Sequence, residues 1–253
     1  MAQLRFEIRL KAPVLIGQVA AGEENSAQSM DYIPGSVLRG MLVNRYVKKH
    51  GEIHFDKTDL GYRLFFSGAV QFLHAYPRSK EGKRSLPIPR SWFIEKNDPD
   101  PDTAVIYDRA FPVAPASPKS PGFSFCLLNG DQSVTQVKVE QYIGLHNTSS
   151  KRFVKQQVDS TVYRYDALAA DQSFAGMILT ADDELRNELK DLLSARNFRV
   201  GRSQRAGYGA VQVTLDTNPQ EQAEYEPAKA PSLLSLTLLS DVVLRESNGQ
   251  WAT

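Results

Sequence analysis

Two glycine-bearing segments, far apart in the chain, fix where its backbone must turn: Ile33-Pro34-Gly35-Ser36-Val37-Leu38-Arg39-Gly40 and Gly201-Arg202-Ser203-Gln204-Arg205-Ala206-Gly207-Tyr208-Gly209. Each stands at a junction between a strand pattern and a helix pattern. The first leads into a helix, so it presents unpaired N–H groups and the positive end of a helix dipole to an anion. The second precedes a strand pattern, and Gly201, Gly207 and Gly209 permit conformations and close approaches that a Cβ forbids. Gly35 and Gly40 are the structural glycines of the first segment. Both segments carry arginine, and together they point to a protein that binds a phosphate backbone.

The elements around them follow from periodicity. Leu4, Phe6, Ile8 and Leu10 alternate with Arg5, Glu7, Arg9 and Lys11, the pattern of a strand with one buried face. Residues 17–31 are small and polar and read as a flexible loop. From Ser36, taken as the N-cap, to His50, the residues Leu38, Met41, Leu42 and Tyr46 recur at helical spacing, with Lys48-Lys49 near the end and Gly51 as the stop. Val70 to Ala75 is the next strand. Pro77, Pro87, Pro89, Pro99, Pro101, Pro112, Pro115, Pro118 and Pro121 then interrupt the chain, so residues 76–161 are expected to hold only short strands. Among these, 123–128 and 134–139 form a hairpin around Asn129-Gly130-Asp131. Phe174 to Leu179 is a strand, Thr180-Ala181-Asp182-Asp183 a capping box, and Leu185, Leu189, Leu192 and Leu193 the apolar face of a second helix. A last strand runs from Gly207 to Leu215, with Val211, Val213 and Leu215 on one face.

Two β-α-β units predict an α+β, ferredoxin-like domain over residues 1–215: an antiparallel sheet with two helices on one face and a large proline-rich insertion at about 76–161. Residues 216–231 read as a linker, and 232–253 as an extra strand or the start of an incomplete second domain.

Composition narrows the chemistry. The net charge is +1, from 30 Lys+Arg against 29 Asp+Glu, so a basic surface requires local segregation. Residues 196–205 hold Arg196, Arg199, Arg202 and Arg205 with no acid, whereas 182–191 hold Asp182, Asp183, Glu184, Glu188 and Asp191. The single Cys126 rules out an intrachain disulfide framework and a cysteine-rich zinc site. No apolar run reaches membrane length, the N-terminus alternates charged with apolar residues so that no secretory signal is expected, and a cytoplasmic location is expected. There is no Walker loop and no dinucleotide fingerprint, and His50, His54 and His74 lack metal-ligand spacing. Neither cofactor nor metal is expected.

With Tyr32 through Gly40 at the first helix, Gly68-Ala69-Val70-Gln71-Phe72 in the next strand, and the loop Gly201–Gly209, the chain resembles the RAMP superfamily of CRISPR-associated RNA-binding proteins over residues 1–215. Ser85-Leu86-Pro87-Ile88-Pro89-Arg90-Ser91, and the stretch from Leu145-His146-Asn147 to Tyr163-Arg164-Tyr165, are most similar to the Cas-five-like, Csx-ten type subunit of type III-D effectors. The resemblance implies an RRM-like RAMP fold. It also implies a non-enzymatic subunit for antiviral defence that binds the 5′ repeat-derived tag of the guide RNA (crRNA) and caps one end of a ribonucleoprotein. Its partners would be crRNA, the backbone RAMP subunits and the large subunit, with no membrane and no small-molecule cofactor.

The residues that would hold RNA are then Ser36 and Arg39 with the N–H groups of Ser36 to Leu38, and Arg202, Ser203 and Arg205 along the glycines, with Tyr208 stacking on a base. The alternatives are a plain helix start and a tight turn with a core tyrosine. Arg78, Lys80, Lys83, Arg84 and Arg90, followed by Trp92-Phe93, form one basic–aromatic stretch; Lys151, Arg152 and Lys155 around Phe153 form another. Each reads as a solvated basic loop or as a thumb-like arm on single-stranded RNA. For catalysis the candidates are His146 as general acid, with Lys151 or Lys155 steadying an oxyanion, and Asp31, with Glu23 and Glu24 in its loop, for a metal or a 2′-hydroxyl. Three readings stand: a guide-RNA binder, an endoribonuclease for guide processing or target cleavage, and a structural subunit that touches no RNA.

Overall fold

A computed structural model of the chain describes residues 2–17, 26–98, 104–131, 133–148 and 161–216. In chain order its elements are β1 (Ala2–Leu10), β2 (Ser26–Gln28), α1 (Gly35–His50), α2 (Leu60–Phe65), β3 (Val70–Phe72), β4 (Tyr76–Pro77), β5 (Leu86–Pro87), β6 (Trp92–Glu95), β7 (Tyr107–Asp108), β8 (Pro118–Lys119), β9 (Phe125–Leu128), β10 (Val134–Val137), β11 (Gln141–Thr148), β12 (Thr161–Leu168), β13 (Ser173–Thr180), α3 (Asp183–Leu193), β14 (Asn197–Arg199) and β15 (Ala210–Leu215). The described residues fall into two units, one formed by those up to Arg84 and from Val139 onward, the other by Ser85–Lys138.

In the first unit the alternation at the N-terminus sets the central strand. Leu4, Phe6, Ile8 and Leu10 are buried, and β1 lies inside a sheet of order β14-β15-β1-β13-β3, with β4 also paired to β13. Every pairing in it is antiparallel. Ile8 stands opposite Phe174 and Val213, so a one-residue slip would turn this whole apolar row to water. Leu185, Leu189, Leu192 and Leu193 of α3 are buried in the same core, each side chain contributing about 1.5–3 kcal/mol.

Helix starts differ from expectation in detail. α1 begins at Gly35 with Pro34 in the N-cap position, not at Ser36, because the Pro34 carbonyl accepts from the N–H groups of Val37 (3.0 Å) and Leu38 (3.2 Å). It stops at Gly51, φ 91°, as predicted. α3 is capped by Asp182, which accepts from Glu184 N–H (2.9 Å) and Leu185 N–H (3.2 Å), while the expected cap Thr180 is buried and accepts from Asp182 N–H (3.2 Å). The sequence predicts two helices here and the unit has three. α2 is short, capped by Asp59 on Tyr62 N–H (2.8 Å), and its Arg63 pairs with Asp182 (2.6 Å) and Glu184 (2.7 Å) of α3.

The middle of the chain is more ordered than its prolines suggest. β11 and β12 pair antiparallel along their whole length, although β11 lies inside the stretch expected to hold only short strands. The reason is local: no proline follows Pro121 until Pro219. β2 runs parallel to β12, and the next residue, Ser29, is 1% exposed with its hydroxyl accepting from Ile16 N–H (3.1 Å), so the second half of the supposed flexible loop is structural. The second unit holds two three-stranded sheets, β10-β9-β5 and β7-β6-β8, whose strands are two to four residues long. The expected hairpin is there as β9 and β10, pinned by Asn129 Nδ2 on Ser133 Oγ (2.8 Å). The predicted linker beyond Asp216 and the run 232–253 lie outside the described residues.

Candidate nucleic-acid interface

The glycine-rich loop is fastened to the chain's own N-terminal segment. Arg202 N–H donates to Leu15 O, Gly209 N–H to Pro13 O and Val200 N–H to Gly209 O, each at 2.8 Å. Gly201 (φ +75°) and Gly209 (φ +84°) are required there, since a Cβ would lie 2.4 Å from Leu15 O or 2.2 Å from Val200 O. The close approach these glycines permit is therefore between protein backbones, not the approach of RNA that the sequence suggests. Gly207 serves the turn alone, at φ +93° with open space around it, and Ser203 takes a left-handed φ of 55°.

With its backbone so used, the loop turns its arginines outward. Arg202 and Arg205 of the loop, with Arg199 of β14 and Arg196 just before that strand, are exposed, and among the described residues none has an acid within ion-pair distance. Arg199 Nη1 donates to Gln204 O (2.9 Å), which braces the turn. Four like charges on one short stretch with no acid between them repel one another, and an anion relieves that repulsion.

Tyr208 does not join them. It is 4% exposed, packed with Leu15 and Ala167, and its hydroxyl lies 2.7 Å from His146 Nε2. Tyr165 and His146 flank its ring at centroid distances of 5.9 Å and 5.4 Å. No base can stack on a ring covered in this way, so Tyr208 is a core residue, and burial pushes its phenol above the usual range.

At the start of α1 the expected three-donor cradle shrinks to one. Gly35 N–H donates to His74 Nδ1 (3.0 Å), and the N–H groups of Val37 and Leu38 are taken by Pro34 O. Ser36 N–H remains without a protein acceptor among the described residues, beside the exposed Ser36 hydroxyl and the exposed Arg39. Arg39, like the loop arginines, has no acid partner among those residues. The two residues edge a concavity of about 310 Å³ whose other walls include Phe66, Gly68 and Phe72. Gly40 is exposed, and a Cβ on it would meet nothing within 4 Å, so packing does not require this glycine.

The first basic stretch is divided by the fold. Arg78 pairs with Glu7 and donates from Nε to Gly82 O (2.7 Å). Arg84 lies 4.4 Å above the Tyr76 ring and donates to the carbonyls of His74 (3.0 Å) and Ala175 (3.3 Å). Burial lowers the Arg84 pKa, and the same burial, with Arg84 adding to it, lowers that of His74. Arg84 is thus a brace inside the first unit and not the expected RNA contact. Arg90, in the second unit, is exposed; Trp92 beside it is half-buried and bonded to Asp108, whose carboxyl is held low by Ala110 N–H, Ser91 and Trp92. Lys151, Arg152, Phe153 and Lys155 lie outside the described residues, as do Glu23 and Glu24.

Both catalytic candidates are engaged by neutral side chains among the described residues. His146 is half-buried with Nε2 engaged by Tyr208. Asp31 accepts from Gln141 Nε2 (2.6 Å), and burial raises its pKa against that hydrogen bond. Among the described residues there is no group of three or more His, Cys, Asp or Glu fit to hold a metal, and no helix long and apolar enough to cross a membrane. Sequence reasoning missed Phe66 and Phe72 beside Arg39; the aromatic run Tyr62 to Phe66 after the capping residue Asp59 is the signal that marks Phe66.

No curated protein matches this sequence. Among solved structures, the chain is distantly similar to a chain of the type III-B Cmr-beta complex bound to cognate target RNA, at 13% identity over 85% of this chain and 97% of that one, with a TM-score of 0.48. It is similar to a chain of the type IV-B CRISPR complex at 11% identity over 90% and 96%, TM-score 0.46. To Cmr4 of Pyrococcus furiosus in its oligomeric crystal form the identity is 12% over 85% and 98%, TM-score 0.39. The sequence matches the RAMP superfamily from residue 7 to residue 212, a span that takes in both glycine-bearing segments, and the chain belongs to that superfamily.

Proposed function

We propose that this RAMP protein is a guide-RNA-binding subunit of a type III-D-like CRISPR effector complex. In this reading it holds the 5′ repeat-derived tag of the crRNA and caps one end of the assembly, beside backbone RAMP subunits and the large subunit. The observation that carries it is the group of Arg196, Arg199, Arg202 and Arg205, exposed and without acids in reach among the described residues, along the segment that runs from the end of α3 through β14 into a loop stapled to Pro13 and Leu15. A chain of net charge +1 that concentrates cations without acid partners on one short stretch presents them to an external polyanion, and a nucleic-acid strand supplies one negative charge per nucleotide. We read the order β15-β1-β13-β3, with α1 between β1 and β3 and α3 between β13 and β15, as a ferredoxin-like split βαβ core. We read the chain as non-catalytic, because the hydrogen bonds that engage His146 and Asp31 among the described residues are to the neutral side chains of Tyr208 and Gln141.

The test is binding of the purified protein to labelled guide RNA with and without its tag, followed long enough to see scission. Tag-dependent retention of intact RNA is expected. Arg202→Gln and Arg205→Gln should each flatten the salt dependence by about one unit. Absence of binding at low salt would refute the reading, and specific scission lost in His146→Ala or Asp31→Asn would make the chain an endoribonuclease.

A further inference from the structure

We infer that the concavity beside α1 receives an unstacked base of the bound RNA strand, with Arg39 on that nucleotide's phosphate; this rests on the RNA-binding reading above. Its floor is aromatic. Phe65 stacks on Phe72 at 6.1 Å and 20°, and the adjoining Phe66 is 44% exposed. Phe55, 78% exposed, lies 5.2 Å from Phe66, and Tyr62 lies 6.4 Å from each of the two. One exposed ring on a protein surface is ordinary; here Phe66, which lines the hollow, is met by the exposed Phe55 and the half-buried Tyr62 just outside it, and the three extend the apolar surface from the hollow's edge.

The rim supplies the second half of the argument. Ser36 and Arg39 edge the same hollow, and Arg39 has no acid partner among the described residues. An apolar peptide would use the rings and leave the guanidinium idle, while an acidic peptide would use the guanidinium and leave the rings wet. A nucleotide uses both, because a flat π face and an anion are parts of one molecule, and aromatic stacking with charge is how proteins hold single strands. The volume of about 310 Å³ falls in the range of clefts that take small ligands.

The test compares two labelled single strands of equal length, one of uridine nucleotides and one of abasic ribose phosphates, on the full chain. Phe66→Ala and Phe55→Ala should each weaken binding of the uridine strand by roughly 5- to 100-fold with the salt slope unchanged, and leave the abasic strand as it was. Arg39→Gln should weaken both strands and flatten the slope by about one unit. Phe55 is exposed enough that its removal cannot unfold the chain, and a thermal melt checks Phe66→Ala. If both phenylalanine variants hold the uridine strand at full affinity while Arg202→Gln and Arg205→Gln lose it, the chain binds RNA and the base site is wrong. Equal losses on both strands, or loss of a protein partner with RNA affinity intact, also overturn it. A wild-type protein that binds neither strand ends both readings together.

Discussion

Gly35 and Gly40 lie in one helix and should answer a methyl group with opposite signs. At Gly40 an added Cβ has nothing within 4 Å, and the residue is exposed with an ordinary helical backbone. Gly40→Ala therefore removes only unfolded-state freedom and gains about 0.5–1 kcal/mol, which in a domain of this size raises Tm by roughly 1–4 °C. At Gly35 the Cβ would fall 1.9 Å from Phe72 O and 2.8 Å from Phe72 C, both backbone atoms of β3. Neither can swing aside, so α1 has to lift off the sheet by more than an ångström. That overpacking costs roughly 1–3 kcal/mol. The bond from Gly35 N–H to His74, worth about 0.5–1.5 kcal/mol, goes with it. Together they lower Tm by roughly 5–15 °C. Thermal and urea melts followed by far-UV circular dichroism measure both variants. A Gly40→Ala protein less stable than wild type, or a Gly35→Ala protein indistinguishable from it, would refute the reasoning. A helix that keeps an exposed glycine packing does not require has reason to do so if something outside the chain comes close there. Guide-RNA affinity should accordingly fall in Gly40→Ala while Tm rises; an unchanged affinity places the strand away from this face.

Three further outcomes follow from the same geometry. Tyr208→Phe removes the hydroxyl bonded to His146 and should cost about 0.5–1.5 kcal/mol in a urea titration, with RNA affinity unchanged because the ring is buried. Burial raises the Asp31 pKa, so the native state holds that proton more tightly than the unfolded chain, and the associated stability is present at low pH and lost as pH rises through the folded value. Asp31→Asn should therefore melt higher than wild type at pH 7, with the advantage closing as pH falls toward the ordinary carboxyl value. His74 has the reverse sign: its pKa is depressed by burial and by Arg84, and its Nδ1 must stay unprotonated to accept from Gly35. Stability should then fall as pH drops below the ordinary imidazole value of 6.5, and His74→Gln should lose that part of the acid sensitivity.

What could be read from the sequence is what one buried face writes into it. β1, β13 and α3 each bury one face, so their side chains carry a period of two or of 3.6 long enough to recognise. α2 and β2 are too short to carry any period, six and three residues, and are held by contacts across the fold: the pairs of Arg63 with Asp182 and Glu184 for one, β12 for the other. β11 was obscured because the proline density before Pro121 was extended past it.

The candidate site shows the same division more sharply. A run of arginines is visible in any sequence, but its availability depends on which carbonyls and acids the fold brings to it. Arg78 meets Glu7 across 71 residues and Arg84 meets Ala175 across 91, so two cations of the first basic stretch are consumed by the protein. Tyr208 is lost to solvent in the same way, by His146 at a separation of 62 residues. Arg202 and Arg205 escape because the loop's tertiary bonds to Pro13 and Leu15 are made by backbone groups, and Arg199 gives only one guanidinium N–H to Gln204 O. Charge density alone therefore overstates a binding surface. A stretch such as 196–205, whose Gly201 commits its backbone to the fold and which contains no acid, is where a cation remains free to meet an anion from outside.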